Sequence, residues 1–364
     1  MTTPDMTTPG VTAPGAPPGT TSPGRGPGPA VPGQAAPGSH ILDRNGQALP
    51  VADLVHLWPL GGWHSLEHVP GGKNEHYRLR AADGVFYLRR SHRSKARPEL
   101  AAQLELMRML RLRGLPVPLP YPTRSGHDHA VVDGRFWTVT RAIAGRRFDD
   151  ASEEHLRQLG RTLGRYHRLT EDLDAGEGDP GLLTELRARQ ADPGLPPEVS
   201  ARAAEVITRL AGLAPDLPRA VVHGGARRGS LVFQRDRVVG VLDFDSAHAD
   251  VRVLDLAVAA HDVGKVYTEH GASDHKVRID LHRVHALLAA YTEVRSLHPV
   301  ESAALPVFLE AKRLKRALGR MRRDHAGEPL SANDHAKIEL EVRRLAWLDT
   351  YREELTQICT AAAR

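Results

Sequence analysis

Four residues of one segment, VVHGGARRGSLVFQRDRVVGVLDFDSAH (221–248), carry types and spacings suited to chemistry: His223, Gly225, Ser230 and Asp243, the last three lying two, seven and twenty positions beyond the histidine. Asp243 opens Asp-Phe-Asp directly after an apolar run, which places a carboxylate at the end of a strand. Two further features lie upstream. The turn PGGKNEH (70–76) holds Gly71, Gly72 and Asn74, and glycines there let backbone N–H groups approach an oxyanion. Arg89 stands at the end of the third strand in FYLRR (86–90), next to the last residue, where a strand-borne cation reaches the same anion. A glycine turn, a cation, a carboxylate and a loop between them are the parts that phosphoryl transfer asks of a protein, since that reaction depends on positioning and charge neutralisation.

The elements that must position these residues are readable from period and punctuation. From Trp63 the chain alternates apolar and polar residues between glycine-rich turns, predicting antiparallel strands at 63–69, 75–81 and 85–90. Leu100, Leu104, Met107 and Leu110 then form a helical stripe that Gly114, Pro116 and Pro118 end. Strands follow at 129–132 and 136–143 around an Asp133-Gly134 hairpin turn. Beyond Gly145 the text turns helical: Ser152 is placed to cap a helix through Leu156, Leu159, Leu163 and Tyr166. A loop rich in Gly, Asp and Pro leads to a helix at 197–213, and short strands are expected at 231–234 and 238–243. A closing helical stripe runs through Ile338, Val342, Leu345, Leu348, Tyr351 and Leu355.

Composition bounds the rest. The first 38 or so residues are almost all Thr, Pro, Gly, Ala and Ser, too poor in apolar surface to offset ordering entropy, and are expected to be a disordered tail. The remainder divides into an N-terminal lobe at 39–143 and a helical C-terminal lobe at 144–364. With 41% hydrophobic and 26% charged residues and no long apolar run, the chain reads as a soluble globular protein without a membrane partner. The start carries no basic region followed by an apolar stretch, so the cytoplasm is the expected compartment. A single cysteine, Cys359, excludes an internal disulfide and a cysteine zinc site, and is expected to serve packing. The net charge of +5 invites a nucleic-acid reading, but the cations are mostly scattered arginines without interleaved aromatics, so nucleic acid is not an expected partner.

The long motif resembles that of the aminoglycoside phosphotransferase and choline kinase family, usually written His-Gly-Asp, four residues, Asn, then Asp-Phe-Gly or Asp-Phe-Asp. The resemblance covers about residues 50 to 325 and extends to GLPVPLP (114–120), LGRTLGRYHRL (159–169) and LDFDSAHADVRVLDLA (242–257). It implies an α+β, two-lobed, protein-kinase-like fold, with a small mostly antiparallel N-lobe sheet, a larger helical C-lobe, and ATP with Mg2+ in the cleft. Carried over residue by residue, it makes Asp243 and Ser230 the metal positions and Gly71, Gly72, Asn74, Arg89 and Gln103 the nucleotide side. Gly225 falls on the general-base position, and Arg227 on a cation position that reaches the transferring phosphate. His223 is assigned to holding the loop and Asp255 to a buried structural role, while Arg228 is expected to face solvent.

Two departures decide the functional expectation. Glycine at 225 has no side chain to accept a proton, and one positioned base contributes roughly 10² to 10⁴ in rate. Ser230 substitutes a short hydroxyl for an amide carbonyl, a poorer magnesium ligand. Gln103 aligns with the helix glutamate that usually pairs with the strand cation, so Arg89 is expected to be held by a neutral hydrogen bond, with Glu99 or Glu105 as substitutes; Asp245 is the nearest replacement base. The reading is a pseudokinase-like binding protein with impaired or lost phosphotransfer, working on a nucleotide and an unidentified small-molecule or peptide partner. The alternative is an active phosphotransferase on a hydroxyl with altered catalytic groups. The many cations of EAKRLKRALGRMRRD (310–324), in the region that usually walls the acceptor pocket, argue against a polycationic acceptor.

Overall fold

Alternating burial along the first strands shows why they pair. In the computed structural model, which describes residues 34–35, 41–42, 48–49, 51–71, 73–192, 194–265 and 277–362, two-residue strands β1 (Gln34–Ala35), β2 (Ile41–Leu42) and β3 (Ala48–Leu49) and a short helix α1 (Val51–Val55) precede β4 (Trp63–Val69), β5 (Glu75–Ala81) and β6 (Gly84–Arg90). After α2 (Arg97–Leu112) come β7 (Ala130–Val132) and β8 (Arg135–Arg141). The sheet order is β1-β4-β5-β6-β8-β7, with every neighbouring pair antiparallel. Tyr77, Leu79, Phe86, Leu88, Trp137 and Val139 fill a core on one face of it. Because directly paired residues share a face, His76, Arg89 and Thr138 line up on the other. Asp133 and Gly134 both have positive φ, as a two-residue hairpin turn requires.

The second lobe is helical: α3 (Glu153–Leu169), α4 (Gly181–Gln190), α5 (Pro197–Leu213), then β9 (Arg219–Val222), β10 (Leu231–Gln234), β11 (Arg237–Val241), β12 (His248–Val251), α6 (Val253–Val263), α7 (Leu281–Thr292), α8 (Pro299–His325), α9 (Ala332–Thr350) and α10 (Arg352–Ala361). Ser152 caps α3 by accepting from His155 N. Gly160 and Gly164 let α3 lie against α7, where a methyl group at either would run into the carbonyls of Leu287 or Tyr291. Strand β12 pairs with β9, and β10 with β11, bringing Asp-Phe-Asp beside the loop that follows β9.

Several expectations change here. The Gly-Asp-Pro loop contains helix α4, whose Leu182, Leu183 and Leu186 are buried. The closing stripe is two helices broken at Tyr351; Leu345, Leu348 and Leu355 are buried, but Val342 and Tyr351 are exposed, because a straight helix drifts away from any stripe not matched to its neighbours. The stripe of α2 joins the larger core, with Leu156 and Phe244, rather than the core of the sheet. Cys359 is buried, and burial pushes its thiol up to about 12. Most of the tail assigned to 1–38 lies outside the described residues, as does Gly72.

Candidate active site

The loop after β9 is pinned from beneath by a carboxylate. Asp255, fully buried on α6, accepts hydrogen bonds from His223 N at 2.6 Å and Gly224 N at 2.8 Å, while His167 Nε2 lies 3.2 Å from it. Burial works against its charge, but the His167 hydrogen bond and the nearby imidazoles outweigh it and hold the carboxyl below its usual range. The His223 ring spans the loop, with Gly225 N donating to Nδ1 at 3.2 Å and Nε2 facing the Leu242 carbonyl at 3.0 Å. That pattern fixes the tautomer with the proton on Nε2. Burial lowers the imidazole's proton affinity, so His223 is neutral at pH 7. Gly224, which the motif reading passed over, has φ +70° and packs on the Ser246 carbonyl so closely that no side chain fits. The doubled glycine after His223 was its only signal.

Gly225 is different: its φ is not positive, and a Cβ there would lie 3.6 Å from His223 Nδ1 and 3.7 Å from Asp243 Oδ2, ordinary contact distances. Space for a side chain exists, facing Asp243. Ser230 Oγ donates to the Gly225 carbonyl at 2.8 Å, and Leu242 N donates to the Ser230 carbonyl at 2.8 Å, so the serine ties loop to hairpin. Asp243 adopts a left-handed conformation, φ 69° and ψ 52°, outside any hairpin turn. Non-glycine residues held there cost about 1–3 kcal/mol and cluster where function requires them. Among the described residues its exposed carboxylate makes no hydrogen bond or ion pair.

Across the cleft, the sheet meets the Asp-Phe-Asp segment directly. Arg89 forms an ion pair with Asp245, and Asn74 Nδ2 donates to the same carboxylate at 2.6 Å while its Oδ1 accepts from His92 N at 2.8 Å. Burial pulls the Arg89 guanidinium down to about 10, with the charge of Asp243 acting the other way; the group stays protonated at neutral pH. Gln103 does not hold it. The glutamine is buried on α2 and its Oε1 has no partner among the described residues. Glu99 is spent on Ala96 N at the start of α2, and Glu105 pairs with Arg108. The counter-ion of Arg89 therefore comes from the other lobe. Lys95, unremarked in the motif reading, lies close enough to Arg89 for that charge, after burial, to lower its proton affinity. Gly71 has φ +127° with open space beside it.

On the far side of the loop, Arg227 is exposed and Arg228 is not. The expectation that Arg228 faces solvent is corrected: it is buried between Asp150 and Asp262, and Asp262 also accepts its backbone N at 3.0 Å. The two carboxylates are 78 and 34 residues away in sequence, beyond any local pattern.

Asp243 and Ser230 are the residues that could hold a divalent cation. Asp243 supplies a free carboxylate and Ser230 a hydroxyl oxygen whose lone pairs are not used by its donated bond, a set suited to magnesium, which takes few protein ligands and completes its shell with phosphate and water. Among the described residues there is no group of three His, Cys, Asp or Glu that would form an all-protein metal cage.

An antiparallel sheet facing a loop-and-hairpin segment, with a cation on one side and a free carboxylate on the other, defines a phosphotransferase of the two-lobed, protein-kinase-like class. The chain belongs to the phosphotransferase enzyme family (APH), whose sequence profile matches residues 66–297. Among curated proteins it is similar to the homoserine kinase of Methylobacillus flagellatus, 27% identical over 295 residues that make up 78% of this chain and 88% of that protein. It is also similar to the homoserine kinase of Granulibacter bethesdensis, 30% identical over 69% of this chain and 78% of the relative. Among solved structures, a microcompartment-associated aminopropanol kinase superposes with a TM-score of 0.65 at 18% identity, covering 84% of this chain and 97% of that one. Amicoumacin kinase, solved with AMP-PNP, Ca2+ and Ami, gives 0.61 at 17% identity over 84% of this chain and 92% of the other, a likeness of fold. Among the described residues no helix is long and apolar enough to cross a membrane.

Proposed function

We propose that the chain binds ATP with Mg2+ between the sheet and the 223–230 loop, and that phosphate transfer to a hydroxyl is impaired because no base stands at position 225. When bound, the cation neutralises charge on the transferring phosphoryl group. The chain's own groups divide the remaining work. Arg89, Asn74, Gly71 and Gly72 are assigned to the phosphates, and Gln103 supports their cleft. Asp243 and Ser230 hold the metal. His223 keeps the loop in register, and Arg227 places positive charge where the phosphoryl group meets its acceptor.

One observation carries the impairment. The carboxylate nearest the Gly225 position is Asp243, assigned to the metal, and the next in the segment, Asp245, is already taken by Arg89 and Asn74. A thermal-shift titration with ATP and Mg2+ tests binding, since a ligand of the native state raises the melting point. A rise with no acceptor-stimulated ADP release is the expected result. Turnover at about 1 to 100 per second, ordinary for kinases, sinks the impaired reading.

The second reading, an active kinase of a small hydroxylated molecule, is favoured by the relatives named homoserine kinase that align over most of the chain. Phosphorus NMR with L-homoserine and ATP separates the two: a new phosphate monoester signal supports activity.

A further inference from the structure

Helix α8 carries a run of cations that the proposed cleft does not use. Lys315, Arg316, Arg320 and Arg323 share one face of it with Gly319 and line a groove of about 320 Å³. Arg189 of α4 stands on one side of this space and Asp334 of α9 on another. Five cations and one carboxylate thus face the groove, and none belongs to the sheet, the 223–230 loop or the Asp-Phe-Asp segment. The groove is held in shape by its own contacts. At Gly319 an added Cβ would run into Arg189 Nη1, so the missing side chain is what lets that guanidinium lie against α8. The same nitrogen donates to the Lys315 carbonyl at 3.1 Å. Glu185 lies 3.4 Å from Arg189 Nη2 and 2.5 Å from Lys315 Nζ, one carboxylate shared by two cations. Asp334 is shared as well, 3.1 Å from Arg323 Nη2 and 3.8 Å from Arg320 Nε. Arg316 reaches Glu341 only at 3.9 Å, and Glu341 also serves Arg313 and Arg344 at 3.2 and 3.1 Å.

Each of these carboxylates is divided among two or more cations, so the groove keeps an excess of positive charge, and Arg316 and Arg320 have the longest ionic contacts. Like charges four residues apart on a helix repel, and an anion between them relieves the repulsion. From Lys315 to Arg323 the stripe runs about 12 Å along the helix axis, at 1.5 Å per residue, enough to meet several phosphate groups in a row. The volume is that of a small-molecule pocket, which spans about 300 to 1,000 Å³. The geometry points to a binding site for a small molecule carrying two or more phosphate groups, contacted by Arg316 and Arg320 with Arg189 fixed beside them. Guanidinium groups suit this ligand because each presents paired N–H donors to the oxygens of one phosphate. None of the residues that line the groove is aromatic, which favours a small polyphosphate over a nucleic-acid strand with bases to stack. The site stands whether or not phosphate is transferred at the 223–230 loop.

The test titrates the full chain calorimetrically at low ionic strength, without magnesium, with inorganic phosphate, pyrophosphate and tripolyphosphate. Affinity should rise along that series and fall with added salt. Arg316→Met and Arg320→Met should each weaken tripolyphosphate binding by about tenfold or more, the scale of one lost charge-assisted hydrogen bond. Arg316→Lys should keep most of it. Gly319→Ala retains every charge but displaces Arg189 from α8, so it should weaken binding by about threefold or more through the loss of a fixed donor; a diffuse patch of charge would lose nothing. Alanine favours a helix interior over glycine, and the melting point of that variant should stay within a few degrees of the parent's, which separates lost recognition from lost folding. No binding of any probe, or unchanged binding in Gly319→Ala or in both methionine variants, overturns the inference. Loss of binding in Arg89→Met alone overturns it too, since the polyphosphate would then sit in the nucleotide cleft. So does tighter binding of a single-stranded oligonucleotide that depends on Arg316 and Arg320.

Discussion

Restoring a carboxylate at position 225 is the sharpest test of why transfer should be slow. The added Cβ would meet His223 Nδ1 at 3.6 Å and Asp243 Oδ2 at 3.7 Å, so Gly225→Asp introduces no clash. With φ not positive, losing the glycine should stabilise the fold by about 0.4–1 kcal/mol through the unfolded state. Against this stands repulsion between two carboxylates about 4 Å apart, about 4 kcal/mol at an effective dielectric of 20 if both are charged and face each other. Rotation of the new side chain, protonation or a bound cation relieves it, so a net change of melting point within a few degrees is expected. The kinetic effect should be larger. A positioned base contributes roughly 10² to 10⁴ in rate, or about 3–5 kcal/mol of barrier. Combining it with Ser230→Asn adds an amide oxygen for the metal, while the amide N–H takes over the donation to the Gly225 carbonyl. ADP release should be measured for the parent, both single variants, the double variant and Gly225→Asn, which matches aspartate in size without being a base. A gain confined to the aspartate variants supports the argument. An equal gain with asparagine refutes it, because loop rigidity rather than proton acceptance would then have been limiting.

Three further outcomes follow from the same geometry. Asp245→Asn removes the counter-ion of Arg89 and should destabilise the nucleotide-free protein by about 1–3 kcal/mol, read as a lower melting point; the shift produced by ATP with Mg2+ should be larger than in the parent, since the freed guanidinium can meet phosphate. Asp255→Asn weakens a buried carboxylate that holds two backbone N–H groups and His167, at a cost of about 3–5 kcal/mol in denaturant titrations. Its lowered pKa contributes stability that is present above the unfolded carboxyl value and is lost as pH falls below about 4, so the parent should show a steeper acid limb than the variant. Gly224→Ala combines a left-handed backbone with a clash on the Ser246 carbonyl and should cost more than about 2 kcal/mol, read as a lowered unfolding midpoint.

Much of the frame was legible because it is written in local patterns. Strand alternation placed β4, β5 and β6 within a residue of their bounds, the Asp133-Gly134 turn has the backbone its residues favour, and Ser152 caps its helix. The helix at 181–190 was missed because Gly, Asp and Pro at its flanks mask a short apolar stripe. The partners of charged side chains were not legible at all. Arg89 was expected on Gln103, 14 positions away in sequence, and instead pairs with Asp245 across the cleft, because a charged carboxylate outcompetes a neutral amide for a buried guanidinium.

The sequence by itself determined the strands, the turns and the loop that carries glycine at position 225, since spacing along a strand and a turn fixes which residues share a loop, and its resemblance to the phosphotransferase family implied the two lobes. Only the tertiary structure decided which cation is held, which is buried and which is left free. Electrostatic fate depends on burial and on neighbours brought together from distant segments, as Arg228 between Asp150 and Asp262 shows.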